Sequence, residues 1–233
     1  VLVDALPAAV ASGRFPLPAG ASLGSAVTLN VSARAAAAYV AALPLPRRGR
    51  VSTAPSPAAA ATAVCVLHLG VHTSATRVHL ERCAVNTAAF RCADEAGWAP
   101  QCDPVLPADE AGCCRYTRLP VDALVERLAA SGFPVRASDD AGTFICNYTF
   151  YLTLAAMQQA QEEDAVLDVD DAEDAAHALS PTHAEPPWHA LFVHVPPAEV
   201  MPVEQQTSFL AALMAAITAH LLGDAARTAE PSV

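Results

Sequence analysis

Cys146 sits where a thiol can become a nucleophile. The segment Ser138-Asp139-Asp140-Ala141-Gly142-Thr143-Phe144-Ile145-Cys146-Asn147-Tyr148-Thr149-Phe150-Tyr151 follows a strand-like stretch, passes a Gly-containing turn and opens a helix. At a helix start, unpaired N–H groups and the positive end of the dipole stabilise a thiolate, and the same N–H groups can receive the oxyanion of a tetrahedral intermediate. Such a nucleophile needs a base, and the base needs a group to orient it. His194 lies near the end of a short apolar run closed by Pro196, where open parallel sheets gather their ligand-binding residues. Glu81 interrupts another strand-like run beside Arg82. Spacing alone also allows a plainer account of each: a small buried hydrophobe for Cys146, a hydrogen-bonded core residue for His194 as for His68, and a surface ion pair for Glu81. Cys65, His68 and His72 form one further candidate, a metal site. That spacing converges only on a helix, whereas the stretch reads as a strand running into a loop, so no metal is expected.

Periodicity defines the elements that must position these residues. Val1 to Ser12 predicts a short helix with Leu2, Leu6 and Val10 on one face, followed by a Pro and Gly loop through Gly24. Val27 to Val31 predicts a strand, and Ser32 an N-cap for a helix over Ala33 to Leu43. Ala63 to Val71 is a continuous apolar run, the pattern of a central parallel strand covered on both faces. Arg77 to Val85 alternates apolar with polar and predicts a half-exposed strand or hairpin arm. Asn86 to Tyr116 is irregular and cysteine-rich. A helix over Val121 to Ala130 stops at Gly132, a strand follows at Val135 to Ser138, and helical periodicity runs from Cys146 to about Gln161. Ala190 to Val195 predicts a strand and Glu204 to Leu222 an amphipathic closing helix. The acidic, proline-bearing stretch at about 162–187 reads as a solvated insertion, and 223–233 as a flexible tail. Strands alternating with helices predict an α/β layered fold with a mostly parallel sheet, in one domain over 1–233.

Composition narrows the classes of function. A net charge of -11, with arginine as the only basic residue type apart from histidine, argues against a nucleic-acid groove. Seven cysteines, an odd number at irregular spacing, read as reduced thiols rather than a disulfide framework. The first ten residues lack a basic lead and contain Asp4 and Pro7, a poor signal peptide, and no uninterrupted apolar run approaches the length of a membrane span. A soluble, cytoplasmic chain with no membrane partner is therefore expected. The sequons at Asn30 and Asn147 are then chance matches.

Three separated segments resemble the pyroglutamyl-peptidase I family of cysteine peptidases, which remove N-terminal pyroglutamate from peptides. Asp140 to Tyr151 is similar to the Ala-Gly-aromatic-aliphatic-Cys-Asn/Asp segment that carries the family's nucleophile, which implies that role for Cys146. Leu67-His68-Leu69-Gly70-Val71 through Leu80-Glu81-Arg82-Cys83-Ala84-Val85-Asn86 resembles the strand and turn that deliver its glutamate, hence Glu81. Phe192-Val193-His194-Val195-Pro196 resembles the segment holding its histidine. Arg91 falls where members often carry a basic residue, implying an oxyanion or substrate contact. The resemblance implies an α/β/α sandwich, thioester chemistry on pyroglutamyl peptides, and no metal or cofactor. The cysteine-rich loop resembles eukaryotic members. Two departures stand out: nothing resembles the family's N-terminal strand and Gly-Phe-x-Pro-Phe-Gly loop, whose aromatic residues help hold the pyroglutamyl ring, and the acidic insertion separates Cys146 from His194 more widely than usual. Lengthening an exposed loop twofold costs only about 0.6 kcal/mol. Without the N-terminal loop, the alternative is a catalytically impaired member or gene-model fragment that acts only as a binding protein.

Overall fold

The computed structural model describes residues 2–45, 63–170 and 188–228. In chain order the elements are α1 (Leu2–Ala11), α2 (Ala33–Ala42), β1 (Val64–Val71), β2 (Val78–Glu81), β3 (Cys83–Val85), β4 (Ala88–Ala89), β5 (Gln101–Asp103), β6 (Cys114–Tyr116), α3 (Val121–Ala130), β7 (Val135–Ser138), α4 (Ile145–Asp170), β8 (Trp188–Val195) and α5 (Val203–Thr228). Four strands form the main sheet in the order β1-β8-β2-β7. β1 with β8 and β2 with β7 are parallel, and β8 with β2 is antiparallel. The sheet is thus mostly parallel, with one antiparallel junction at its centre.

Side-chain alternation along these strands separates two cores. Trp188, Ala190 and Phe192 of β8 and Val66 of β1 pack with Ile145, Phe150, Leu154 and Met157 of α4. The intervening residues Leu191, Val193 and Val195, together with Val78 and Leu80 of β2, pack with Leu124 and Leu128 of α3 and Phe209 and Leu213 of α5. Helices therefore cover both faces, giving the three-layer α/β/α arrangement. The α4 side is the face of His194, one pleat beyond Phe192. α1 joins the opposite layer, where Leu6 packs near Leu210, Leu67 and Leu69.

Several expectations change. β1 lies at the edge of the described sheet, with Val71 61% exposed, rather than at its centre. An apolar run reports cover on both faces and says nothing about which edges are paired. The reverse holds for Arg77 to Val85: β2 is central and buried throughout, and the chain leaves it at Arg82 for β3. Its polar alternates, His79 and Glu81, face the α4 layer, not solvent. Val27 to Val31 forms no strand. Both valines stay exposed, no neighbouring strand accepts them among the described residues, and the segment is held where the Val31 N–H donates to Glu95 Oε2 at 3.1 Å. The irregular stretch carries two small antiparallel ladders, β3 with β6 and β4 with β5.

Helix ends also move. Ser32 is the N-cap of α2, its side chain accepting from the Ala35 N–H, and Asp94 Oδ2 adds a second cap by accepting from the Ala33 N–H at 2.9 Å. α4 continues to Asp170, so residues 162–170 are helical where the solvated insertion was expected to begin. Ala165, Leu167 and the glutamates of this stretch are sound helix formers with no Gly or Pro among them. The rest of the expected insertion, 171–187, lies outside the described residues. α5 passes through Gly223 to Thr228, since one glycine weakens a helix by only about 1 kcal/mol without ending it; 229–233 also lie outside. Val203–Gly223 is long and apolar enough to cross a membrane by length and composition alone. In this fold Phe209, Leu213, Ala216 and Ile217 of that stretch are buried against the sheet and α3.

Candidate active site

α4 begins directly after a turn built around Gly142, whose φ of +78° is one that glycine adopts without strain. The turn is fixed on both sides: the Gly142 N–H donates to Asp140 Oδ1 at 2.9 Å, and the Thr143 hydroxyl donates to the Ala89 carbonyl at 2.8 Å. The Tyr148 N–H reaches the Phe144 carbonyl at 3.0 Å, so the N–H groups of Ile145, Cys146 and Asn147 precede the first turn's closing bond. Asn147 is buried and ties this helix start to the glutamate strand's exit. Its Oδ1 accepts from the Val85 N–H at 2.8 Å, and its Nδ2 donates to the carbonyls of Val85 and Thr87. A buried Asn147 side chain spent on backbone partners is also no glycosylation acceptor.

Across the sheet, His194 Nδ1 donates to Glu81 Oε1 at 2.8 Å, with both side chains buried. A carboxylate only accepts, so Nδ1 carries the proton and Nε2 is left for Cys146. Burial of the ring works against a cation. Hydrogen bonding with Cys146 and with Glu81, and the charges of both, outweigh it and push His194 up to about 9. The three residues come from a helix start, a central strand and the adjacent strand, and the fold brings them into one constellation. Glu81 is no surface ion pair.

Gly70 completes the floor. A Cβ there would lie 3.0 Å from the Phe192 ring and 3.3 Å from Cys146 Sγ, so the strand approaches the thiol so closely that a side chain fits only if Phe192 or Cys146 gives way. Gly70→Ala should force Phe192 or Cys146 aside at a cost of about 1–3 kcal/mol, and if the Cys146 thiol is the reacting group, displacing it should lower kcat by about tenfold or more. Thermal unfolding and steady-state kinetics on the same preparation check both effects. Unchanged values for both would mean that the neighbours yield freely.

Arg91 is exposed, its Cζ 5.6 Å from the centroid of the Phe144 ring, so it meets the site through the residue before α4 and not through the His194–Glu81 pair. Phe144 in turn packs edge-on against Phe90, which touches Trp98 and Tyr148. The metal alternative dissolves by face: Cys65 packs with the α3 and α5 side, while His68 lies on the other face, stacked on Phe192 and bonded to Thr153 Oγ1 at 3.0 Å. Gly70 and Asn147 adjoin Cys146, and His79 Nδ1 lies 4.0 Å from Glu81 Oε1; spacing singled out none of the three. Their parity along the strands, and a glycine inside an apolar strand, were the available signals.

Two buried histidines set opposite pH limits on stability. His194 is raised from an ordinary value of 6.5 to about 9, so its contribution is whole below about pH 6.5 and is lost as pH climbs through about 9. His68 is pushed down to about 4 by burial, so the unfolded chain binds a proton that the fold refuses, and stability falls between about pH 6.5 and 4. Urea unfolding across this range should give a maximum near pH 6.5, and His68→Gln should flatten the acid side. An acid fall untouched by that substitution would assign it to other groups.

Three comparisons with known proteins bear on the family and the fold of this chain. Residues 50–166 match the profile of a family described as pyroglutamyl peptidase, a span that includes Glu81 and Cys146 but ends before His194. The pyrrolidone-carboxylate peptidase of Bacillus cereus is 35% identical over 101 residues, which are 43% of this chain and 43% of that protein. That of Yersinia pestis is 32% identical over 100 residues, 43% of this chain and 46% of that protein. The chain thus spans under half the length of these curated relatives. The crystal structure of pyrrolidone carboxyl peptidase from Thermus thermophilus superposes with a TM-score of 0.58 at 23% identity, covering 90% of this chain and 91% of that one, a likeness of fold.

Proposed function

Because this chain belongs to the pyroglutamyl peptidase family, we propose that it is a cysteine peptidase that removes N-terminal pyroglutamate from peptides, with Cys146 as nucleophile, His194 as base and Glu81 orienting His194. The observation that carries this is the 2.8 Å bond from His194 Nδ1 to Glu81 Oε1, with Cys146 acting on the same ring. His194 enters on geometry, since the family match ends before it.

The thiolate attacks the carbonyl carbon that joins pyroglutamate to the next residue. Negative charge moves to the carbonyl oxygen, which the N–H groups of Cys146 and a neighbour at the α4 start receive. His194 Nε2–H gives its proton to the departing amine as the C–N bond breaks, leaving a thioester on Cys146. Neutral His194 then takes a proton from water, whose oxygen attacks the thioester, and pyroglutamate leaves as the Cys146 thiolate and His194 cation are restored. Glu81 keeps the proton on Nδ1 throughout and stabilises the cation. Arg91, above Phe144, is suited to contact the substrate at the rim. All seven cysteines are free thiols, which supports a reducing, cytoplasmic setting.

The test is release of a reporter amine from a pyroglutamyl amide. An equal rate from a prolyl amide would break the substrate assignment, since proline lacks the lactam carbonyl.

A further inference from the structure

His79 stands directly across the sheet from His194, its Cα partner in the antiparallel ladder of β2 with β8. On its other side its partner is Arg136 of β7. The His79 side chain is buried on the same face as Glu81. Its Nδ1 lies 3.4 Å from Arg136 Nη2 and 4.0 Å from Glu81 Oε1, the very oxygen that His194 uses. A guanidinium only donates, so Nδ1 presents its lone pair to Arg136 while the ring is neutral and offers Glu81 nothing. The ring of His72 lies between, 5.4 Å from that of His79 and 5.6 Å from that of His194. Glu81 Oε2 has no hydrogen-bond partner among the described residues, so His194 is the donor that holds this buried carboxylate.

We propose that His79 is a positioning residue that gates the Glu81–His194 pair: neutral, it accepts from Arg136 and leaves Glu81 to His194, and protonated, it directs an Nδ1–H at Glu81 Oε1 and competes for that oxygen. The proposal rests on the peptidase reading for its catalytic meaning.

Four charged or titratable groups face His79: Glu81 on its own strand, Arg136 on β7, His194 on β8 and His72 in the loop after β1. Burial holds the His79 pKa below the ordinary value, and Arg136 lowers it further; Glu81 works the other way, while His72 and His194 add to the lowering. The gate therefore closes on the acid side of neutrality. A proton on His79 places a second cation beside His194 and divides the one carboxylate between two imidazoles. The base loses its fixed orientation, and activity falls in a pH range where His194, raised to about 9, keeps its proton throughout.

His79→Gln keeps an acceptor for Arg136 and removes the titration, so the acid limb of kcat/KM should move to lower pH by about one unit, an ordinary neighbour-charge effect. Arg136→Gln, at an exposed position, removes a charge that depresses His79 and should move the limb to higher pH. Opposite shifts are what a merely structural role does not produce. A second readout needs no turnover: the downfield proton resonance of His194 Nδ1–H should fade at acid pH in the wild-type chain and persist in His79→Gln. If neither the limbs nor the resonance differs among the three proteins, the gate is overturned. If the resonance behaves as expected in a chain that cleaves no pyroglutamyl amide at any pH, the gate stands and the peptidase reading falls.

Discussion

Cys146→Ala should reduce amine release from a pyroglutamyl amide by about 10,000-fold or to background, with the fold retained. In the proposed mechanism, thioester formation has no substitute for this thiol. The other six cysteines lie on β1, β3, β5, β6 and loops, and none is at a helix start beside a hydrogen-bonded imidazole. Alanine at a half-buried helical position removes one sulfur and keeps good helix propensity, so unfolding by urea should change by no more than about 1 kcal/mol. Circular dichroism and kinetics on one preparation separate loss of chemistry from loss of structure. Turnover that survives the substitution would dismiss Cys146 as the nucleophile.

Glu81→Gln should be nearly as damaging to kcat, lowering it by about 1,000- to 10,000-fold while leaving KM within a few-fold. The substitution keeps the size of the side chain and an oxygen for His194 Nδ1–H, but removes the charge that offsets burial of the ring. His194 then drops from about 9, held up only by its hydrogen bond with Cys146 and that group's charge, and the imidazolium loses the carboxylate that supports it. KM is spared because Glu81 is buried behind the imidazole and touches no substrate in the proposed mechanism. The same change should shrink the loss of stability between about pH 6.5 and 9, because the folded state holds the extra proton less tightly. A variant with wild-type kcat would show that the imidazole needs no carboxylate.

Part of this protein was legible along the chain. The strand at Val135–Ser138, the helix at Val121–Ala130 with its Gly132 stop, and the Ser32 cap rest on local rules, and each forms where the residues predict it. Cys146 at the opening of α4 is equally local: a strand, a glycine turn and a run of helical periodicity. The cover of β1 and β8 by helices on both faces follows from their apolar runs, and with it the α/β class.

Tertiary structure decided the rest, because pairing partners are chosen between segments far apart in sequence. The alternation of Val78, His79, Leu80 and Glu81 gives two faces, but only the β1-β8-β2-β7 order makes the polar face an interior wall instead of a solvent face. That placement turned Glu81 from a plausible ion pair with Arg82 into a buried partner of His194, while Arg82 bonds outward to Asp122 and Asp139. Register across β2 and β8 set His79 opposite His194, which no spacing along either strand contains. The sequence by itself determined which residues could do chemistry and the helix start that could activate the thiol. The antiparallel junction at the centre of the sheet determined which of them meet, since a one-residue change of register would turn Glu81 and His194 to opposite faces.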